Sequence, residues 1–319
     1  MSKLSLFCLN SSRDYAGRVS AHLNVALCEH EERAFEDGEH KSRALVDVAG
    51  HDVFVIHSLY SEPEQSVNDK LCRLLFFIGS LKDAGAARVN AVMPYLCYAR
   101  KDQRTQAHDP VTTRYVARLF EAVGTDAVAT IDVHNIAAYE NAFRCRAENL
   151  KAKPLFVDYF RDFAQREAIV VVSPDFGGTK RAEEFRRDLA AASGCEIALA
   201  VMEKYRGGGI VSGSTLVGDV RGKAAIILDD LISSGGTLRR TGHACRDAGA
   251  TKIYAAATHG LFMPGAEAML ADSAFESIVV TDSVPPLRID AQQYGTRLQI
   301  IDSSKLIADT IAHWHRERD

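Results

Sequence analysis

The sequence predicts an α/β fold with two similar domains, each a mostly parallel sheet flanked by helices. Its 319 residues are about enough for two domains of ordinary size. Short β-branched or apolar runs alternate with longer segments of helical periodicity, the pattern of βαβ units. Residues 80–96 also resemble residues 244–261. That likeness indicates either a duplicated βαβ fold or the common Ala-Gly ending of helices in α/β proteins.

The elements follow from this alternation in chain order. Strands are predicted at Val53–His57, Val89–Met93, Ala127–Asp132, Ile169–Ser173, Ala224–Asp229, Lys252–Thr258 and Ser277–Thr281. Helices are predicted at Asp69–Ala84, Val111–Val123, Lys180–Ala192, Gly236–Ala248 and Lys305–Arg316. A boundary at the KAKP sequence divides the chain into domains 1–152 and 153–302. The last helix, within 303–319, could pack on either domain, and we place it with the first.

Composition narrows the function classes. Apolar residues make up 47% and charged residues 25%, and the net charge is −4, so bulk charge gives no reason to expect nucleic acid as a partner. The seven cysteines are scattered without a CxxC pair, which favours reduced thiols in the cytoplasm. No apolar run approaches the roughly 20 residues that span a bilayer, and the first residues lack a signal-peptide pattern. We therefore expect no membrane association.

The strongest local signal is the sequence AAIILDDLISSGGTL at residues 224–238. A buried strand delivers Asp229 and Asp230 to the carboxyl edge of the sheet, where ligands of open α/β sheets bind. The Ser-Ser-Gly-Gly-Thr loop that follows opens a helix and offers backbone N–H groups and hydroxyls to an anion. The carboxylates suit sugar hydroxyls or Mg²⁺. The alternative is a tight glycine turn with an N-capping serine.

Two further strand ends carry polar residues. Asp175 precedes a Gly-Gly pair, and Lys180 and Arg181 fall in the first turn of the next helix, where cations oppose the helix dipole unless an anion compensates them. Asp132 and His134 are two residues apart, on the same side of an extended segment. A solvated helix start and a buried, hydrogen-bonded histidine are the alternatives. The three strand ends together favour a shared site.

Two cation-rich stretches lie outside the predicted strands. Arg100, Lys101 and Arg104 follow the strand Val89–Met93. Lys204 and Arg206 precede a Gly/Ser-rich loop that we expect to be mobile. Such cations hold polyphosphates in many enzymes, but they also occur on solvated surface loops. The spacing does not choose between the two.

Taken in order, these segments resemble ribose-phosphate pyrophosphokinase, also called phosphoribosyl pyrophosphate synthetase. The resemblance covers almost the whole chain. The segments that carry it are FEDGE, SVNDKLCRLLFFIGSLKDAGAARVNAVMPYLCYARKDQR, TIDVHN, SPDFGGTKRA, the KYR loop, VGDVRGKAAIILDDLISSGGTL, ATHGLF and VVTDSVPP. The resemblance implies two domains of phosphoribosyltransferase type and assembly as a homo-oligomer, commonly a hexamer built from dimers.

The resemblance also implies an activity and its residues. The reaction would be Mg²⁺-dependent transfer of the diphosphoryl group of ATP to the C1 hydroxyl of ribose 5-phosphate, with release of AMP. The first domain would carry the ATP side, and the second the ribose 5-phosphate side with the mobile catalytic loop. The residues implied are His134 and Asp175 for Mg²⁺; Arg100, Asp102 and Arg104 for ATP, with Phe35, Asp37 and Glu39 from a neighbouring subunit; Lys204 and Arg206 for catalysis; Asp229 and Asp230 for the ribose hydroxyls; and Ser233, Ser234, Gly235, Gly236 and Thr237 for the 5-phosphate.

One departure from the family pattern leaves alternatives open. Ser233 and Ser234 stand where a third acid and a threonine are usual. Another sugar phosphate could therefore be the acceptor. A non-catalytic regulatory homologue is a second alternative, although it would be expected to lose site residues. A phosphoribosyltransferase is a third, but it would leave the matches in the first half of the chain unexplained.

Overall fold

The computed structural model describes the backbone of residues 3–207 and 210–317, and the side chains of these residues outside 204–214. The chain divides into two compact units. The first contains Met1–Lys151 and Ser303–Asp319, and the second contains Ala152–Asp302. Each unit is a mostly parallel sheet flanked by helices, so the predicted fold class is confirmed. None of the helices in the described part of the chain has both the length and the apolar character needed to cross a membrane.

The first unit is built on a five-stranded sheet in the order β1-β4-β5-β6-β7, with every neighbouring pair parallel. A separate antiparallel hairpin joins β2 to β3. The strands are β1 Leu4–Cys8, β2 His30–Ala34, β3 His40–Ala44, β4 Asp52–Ile56, β5 Arg88–Met93, β6 Ala127–Ile131 and β7 Arg146–Leu150. The helices are α1 Arg13–Leu23, α2 Val67–Asp83, α3 Thr112–Ala122, α4 Ile136–Ala142 and, after the second unit, α9 Ser304–Arg316.

Helix α2 shows how local sequence sets an element of this unit. Ser66 is its N-cap: the hydroxyl accepts from the Asp69 backbone N–H at 3.2 Å, and the Asp69 carboxylate accepts from the Ser66 N–H at 2.8 Å. This capping box satisfies donors that the first helical turn leaves open. Leu74 and Ile78 on its inner face are fully buried against the sheet. The cap therefore starts the helix at Val67, slightly before the predicted start at Asp69.

The second unit has a seven-stranded sheet in the order β10-β9-β8-β11-β12-β13-β14. The pairs are parallel except for β9 with β10. The strands are β8 Ile169–Ser173, β9 Ala198–Gly207, β10 Ile210–Val217, β11 Ala224–Ile232, β12 Lys252–Gly260, β13 Ser277–Thr281 and β14 Leu298–Ile301. The helices are α5 Lys153–Ala164, α6 Thr179–Ser193, α7 Gly236–Asp247 and the short α8 Glu267–Leu270.

The two similar sequence segments occupy equivalent places in the two units. One forms the end of α2 and strand β5, and the other forms the end of α7 and strand β12. Each helix is followed by a glycine with positive φ, Gly85 at 86° and Gly249 at 94°. That conformation strains any residue with a Cβ, so the glycine serves as the helix stop in both. The two segments thus share the Ala-Gly helix ending and the strand that follows it.

The predicted strands and helices agree with the structure to within three residues at each end. One segment has the wrong predicted structure: residues 204–215 are predicted to lie outside the strands, whereas most of them lie in the antiparallel pair β9 and β10. Glycine content suggested a loop, but Ile210, Val211 and Thr215 are β-branched and favour strand. The elements missed by the sequence analysis are β1, β2, β3, β7, β9, β10, β14, α1, α4, α5 and α8.

Helix α9 packs against α1 and completes the first unit. The hydroxyls of Tyr15 and Ser303 are hydrogen bonded at 3.0 Å. The indole of Trp314 is buried and donates to the Glu148 carboxylate at 2.6 Å. A segment that follows the second unit in sequence thus supplies part of the core of the first.

Asp52 ties α9 to the sheet. Its carboxylate is fully buried and accepts two hydrogen bonds from Arg88, at 2.9 and 2.6 Å, and one from Asn90 at 3.0 Å. His315 of α9 lies 2.9 Å away, and Arg88 also donates to the Trp314 carbonyl at 3.2 Å. Burial alone would raise the pKa of Asp52, but the bonds from Arg88 and His315 outweigh it and lower that pKa.

The turn between β11 and α7 depends on a close approach. Gly235, the N-cap of α7, has a φ of 74°. A Cβ built there would lie 2.7 Å from Sδ and 2.8 Å from Cβ of Met269. Both the backbone conformation and the space therefore require glycine at this position.

We expect Asp52→Asn to lower the free energy of unfolding by about 3 kcal/mol at neutral pH, because it breaks a buried ion pair. A carboxyl with a lowered folded pKa stabilises fully above its unfolded pKa, about 3.9, and loses that contribution as pH falls through the folded pKa. The difference from the parent protein should therefore shrink in acid. Urea unfolding at several pH values measures it. The control is Asp309→Asn, an exposed partner of Lys305, which should cost about 0.5 kcal/mol or less; equal losses in both variants would contradict the assignment.

We expect Gly235→Ala to lower the free energy of unfolding by about 1–3 kcal/mol, because the methyl group meets Met269 and the φ becomes strained. The neighbouring Gly236→Ala is the matched control for unfolding. Its Cβ would lie 3.5 Å from Nη1 of Arg240, an ordinary contact. Urea denaturation of both variants compares them. Equal stability of the two would show that the turn does not need this glycine.

Candidate active site

The acidic pair lies where one strand runs on past its neighbour. Parallel pairing of β8 with β11 ends at Val172 and Ile227, but β11 continues along β12 to Ile232. Asp229 and Asp230 are therefore in the extension of β11, at the carboxyl edge of the sheet and level with the loop after β8. The prediction that the strand stops at Asp229 is wrong, because pairing with β12 prolongs it.

The two carboxylates are close to each other and to one cation. Oδ1 of Asp229 accepts from the Asp230 backbone N–H at 2.9 Å. Nη1 of Arg181 lies 3.8 Å from Oδ1 of Asp229 and 3.6 Å from Oδ1 of Asp230. Burial, with the neighbouring charge of Asp230, raises the pKa of Asp229, and the Arg181 guanidinium opposes that rise. The site therefore concentrates negative charge and compensates it in part.

The loop between β8 and α6 fixes Asp175 at the same edge. Its Oδ1 accepts from the Gly178 N–H at 3.1 Å, and its carbonyl accepts from the Ser173 hydroxyl at 2.7 Å. A Cβ on Gly178 would lie only 2.9 Å from that hydroxyl oxygen. The Gly-Gly sequence thus lets the loop close tightly behind the Asp175 carboxylate.

The Ser-Ser-Gly-Gly-Thr segment forms the turn and helix start that the sequence predicts. The Ser233 carbonyl accepts from the Met263 N–H at 3.1 Å, Gly235 is the N-cap, and α7 begins at Gly236. The first N–H groups of a helix have no partner within the helix and carry partial positive charge. Ser233, Ser234, Gly235, Gly236 and Thr237 therefore surround a place suited to an anion, a few residues from the acidic pair along the chain.

In the first unit, two loops meet at the corresponding sheet edge. Oδ2 of Asp102, after β5, accepts from Nδ2 of Asn135, after β6, at 2.6 Å. Arg100 and Arg104 are exposed on the same loop as Asp102. Lys101 instead pairs with Asp109, and hydrogen bonds from Lys101 and Thr105 lower the pKa of that carboxyl. Lys101 thus stabilises the loop.

His134 is exposed, so the alternative of a buried histidine is wrong. The expectation that Asp132 and His134 share one side of an extended segment is also wrong. Asp132 has a φ of 39°, in the left-handed region, so the alternation of a strand does not apply. The chain turns here because the Asp132 N–H bonds to the Leu150 carbonyl and the Val133 N–H to Oδ1 of Asn149.

Phe35, Asp37 and Glu39 lie in the turn of the hairpin between β2 and β3. The Phe35 N–H donates to the Glu39 carbonyl at 2.8 Å, and the Glu39 N–H donates to Oδ1 of Asp37 at 3.1 Å. All three residues are exposed, and the guanidinium of Arg33 lies 5.1 Å from the Phe35 ring centre. The hairpin thus presents an aromatic ring and acidic groups at its tip.

Lys204 and Arg206 have backbone positions in β9, paired with Ser214 and Val211 of β10. Their side chains lie outside the described residues. Their catalytic roles therefore remain predictions.

No group of three or more His, Cys, Asp or Glu side chains suited to a metal ion occurs within residues 3–207 and 210–317, as far as these are described. The cysteines whose pKa is shifted are poor nucleophiles, because the shift is upward and favours the thiol over the thiolate. Burial raises the pKa of Cys97 and of Cys245 to about 12. The residues at the two sheet edges are therefore better suited to binding a charged ligand than to covalent catalysis by a thiol.

Sequence reasoning left two contacts out of the candidate site. Arg181 was placed in a helix start, but its approach to the acidic pair depends on how α6 lies beside β11. Asn135 ends the TIDVHN motif, but its bond to Asp102 joins two loops that are separate in sequence. The cation at a helix start was the one local signal for Arg181, since such a residue calls for a nearby anion.

Comparisons with known proteins identify the family. A family model described as the N-terminal domain of ribose phosphate pyrophosphokinase matches residues 4–124, and a phosphoribosyl synthetase-associated domain matches residues 211–319. A ribose-phosphate pyrophosphokinase of Caldanaerobacter subterraneus subsp. tengcongensis is 36% identical over 313 residues, covering 98% of this chain and 95% of the relative. Ribose-phosphate pyrophosphokinase 1 of Streptococcus agalactiae is 32% identical, over 99% of this chain and 95% of the relative.

The structural comparison agrees. The crystal structure of phosphoribosylpyrophosphate synthetase from Mycobacterium smegmatis superposes with a TM-score of 0.90 at 30% identity, covering 99% of this chain and 100% of that one. Relatives of this identity, matched along nearly their full length, establish the family resemblance that the sequence motifs indicate. The chain is an enzyme that belongs to the ribose-phosphate pyrophosphokinase family.

Proposed function

We propose that the protein transfers the β,γ-diphosphoryl group of ATP to the C1 hydroxyl of ribose 5-phosphate, giving 5-phosphoribosyl 1-diphosphate and AMP. The observation that carries this proposal is the acidic pair of β11 followed at once by the glycine turn and the start of α7. One edge of one sheet thereby offers acceptors for hydroxyls and donors for a phosphate. Relatives named for ribose-phosphate pyrophosphokinase activity support the same substrate class.

The sugar phosphate binds across this edge in the proposed complex. Asp229 and Asp230 accept hydrogen bonds from ribose hydroxyls. The N–H groups and hydroxyls from Ser233 to Thr237 hold the 5-phosphate, with the dipole of α7 favouring its charge. The close contact between Gly235 and Met269 supports phosphate binding by this turn, because any larger residue at position 235 would push the turn away from Met269.

The reaction needs little covalent chemistry from the protein. A bond forms between O1 of the sugar and the β-phosphorus, the bond from that phosphorus to the oxygen bridging the α-phosphate breaks, and the hydroxyl proton is released. AMP leaves with the bridging oxygen. Alignment and charge neutralisation supply most of the catalysis in such transfers. Lys204 and Arg206 stabilise the charge on the transferred group.

ATP binds on the first unit in this proposal, at Arg100, Asp102 and Arg104. The bond from Asn135 fixes Asp102 there, and the two exposed arginines suit a polyphosphate. Phe35, Asp37 and Glu39 complete the ATP site of a neighbouring copy, so the active protein is a homo-oligomer. The exposed hairpin tip supports this, since its aromatic ring lies at 38% exposure.

A magnesium ion is held mainly by its substrate in this proposal. Asp175 supplies a carboxylate fixed by the Gly178 N–H, and His134 is exposed after β6. Mg²⁺ in nucleotide enzymes is held by one or two protein groups with phosphates and water. We assign His134 and Asp175 as its protein ligands. When bound, the ion neutralises phosphate charge.

A second acceptor remains a candidate because of Ser233. A neutral hydroxyl at this position replaces the third acid that is usual in the family pattern, and the Ser233 carbonyl is already bonded to Met263. The seven cysteines are free thiols, which supports the cytoplasm as the compartment for either reaction.

The test measures AMP release from MgATP with and without ribose 5-phosphate, together with the diphosphorylated sugar. We expect AMP and product in equal amounts, dependent on the sugar phosphate and abolished by EDTA. A panel of pentose phosphates tests the second acceptor. A folded protein that binds ATP but forms no product with any of them would refute the proposed reaction.

We expect Lys204→Ala to lower kcat at least a hundredfold with a much smaller change in KM, because a contact that strengthens as charge develops acts in the transition state. Steady-state kinetics on MgATP and ribose 5-phosphate measure the split. The matched control is Lys305→Ala, which removes an exposed cation of α9 and should leave kcat unchanged. Near-normal turnover of Lys204→Ala would remove this residue from the mechanism.

A further inference from the structure

We propose that Arg181 is a positioning residue of the sugar site: it holds the carboxylates of Asp229 and Asp230 side by side as acceptors for the sugar hydroxyls. The inference rests on the proposed function, because it assigns a role within the proposed sugar site. It adds a residue that contacts the acidic pair from α6, across the strand end of β8.

The position of Arg181 in its helix points to this role. It is the third residue of α6, in the first turn, where the helix dipole disfavours a cation. A cation at this position calls for an anion nearby. The structure shows that Asp229 and Asp230 are the nearby anions. The unfavourable placement at the helix start is thus offset by a specific contact at the site.

The distances separate charge compensation from hydrogen bonding. At 3.6 and 3.8 Å, Nη1 of Arg181 is within ion-pair range of both carboxylates but beyond a good hydrogen bond to either. Arg181 therefore offsets part of the negative charge of the two carboxylates and leaves their hydrogen-bond acceptor capacity free for a ligand. A protonated carboxyl would present a donor in place of an acceptor, and a sugar hydroxyl would then lose a partner.

The electrostatics of the pair make this compensation necessary. Asp230 is only 4% exposed, and Asp229 directly precedes it in β11. Two neighbouring carboxylates, one buried and the other partly buried, favour uptake of a proton by one of them, and burial and Asp230 do raise the pKa of Asp229. Arg181 is 26% exposed and opposes that uptake from one side of the pair. Removing its charge shifts the balance toward the protonated pair.

The experiment compares the full-length enzyme with Arg181→Gln, Arg181→Lys and the control Arg187→Gln. Arg187 is on the same helix, 69% exposed and paired with Asp188, so its variant removes an equal charge away from the site. The readouts are kcat/KM for ribose 5-phosphate across pH 6–9, KM for MgATP, and calorimetric binding of ribose 5-phosphate without ATP. Circular dichroism and the unfolding midpoint establish that each variant is folded.

We expect Arg181→Gln to move the acid limb of kcat/KM for ribose 5-phosphate about one pH unit upward, because losing a nearby positive charge favours protonated carboxyls. That shift corresponds to about a tenfold loss at a pH on the limb. KM for MgATP should stay unchanged. Arg181→Lys should recover part of the loss, and Arg187→Gln should match the parent enzyme.

Two results would overturn the inference. One is an Arg181→Gln variant whose pH profile and sugar binding coincide with those of the parent. The other is a pH-independent loss that affects both substrates equally and is not recovered by lysine, which would mark Arg181 as a fold contact between α6 and β11. The parent enzyme distinguishes failure of the Arg181 role from failure of the proposed function. If the parent forms product but the variants behave in either of these ways, only the Arg181 role fails. If the parent neither binds ribose 5-phosphate nor forms product, the proposed function fails with it.

Discussion

The candidate site depends on an unequal length of two parallel neighbours in the second unit. Strand β8 stops pairing with β11 four residues after both begin, and β11 alone continues beside β12. This offset exposes two consecutive carboxylates to the loop that follows β8, and it carries the chain directly into the turn before α7. A sheet with strands of equal length would bury the same aspartates against a neighbour, where they could not be compensated from a helix start.

Much of this arrangement was predictable from the chain alone, because the buried strands are continuous apolar runs and the helices keep a regular period. Strands such as β2, with the sequence HEERA, escaped because they are polar and half-exposed, and their pairing decides their structure. The sequence predicts both the acidic pair and the helix that starts at Gly236 after it. The approach of Arg181 was not, since it depends on where α6 packs, and sequence spacing does not encode that.

The two units treat a buried carboxylate in opposite ways. Asp52 is surrounded by Arg88, Asn90 and His315, so its charged form is favoured and the residue acts as a brace between sheet and helix. Asp229 has a like charge beside it, and the Arg181 guanidinium 3.8 Å away offsets that only in part, so its charged form is disfavoured. A group held against its own preference is typical of binding sites, and a fully satisfied one is typical of scaffolds. The groups that surround each carboxylate thus separate the two roles.

The placement of α9 governs the order in which the chain can fold. The second unit is one continuous segment of the chain, whereas the first also includes a helix that follows the second unit in sequence. Trp314 fills the core of the first unit and is 1% exposed once in place. During synthesis, the second unit can therefore form from the residues already made, while the first keeps an open apolar surface until the last helix leaves the ribosome. For that interval the earlier-made half of the protein is the one that needs protection from aggregation.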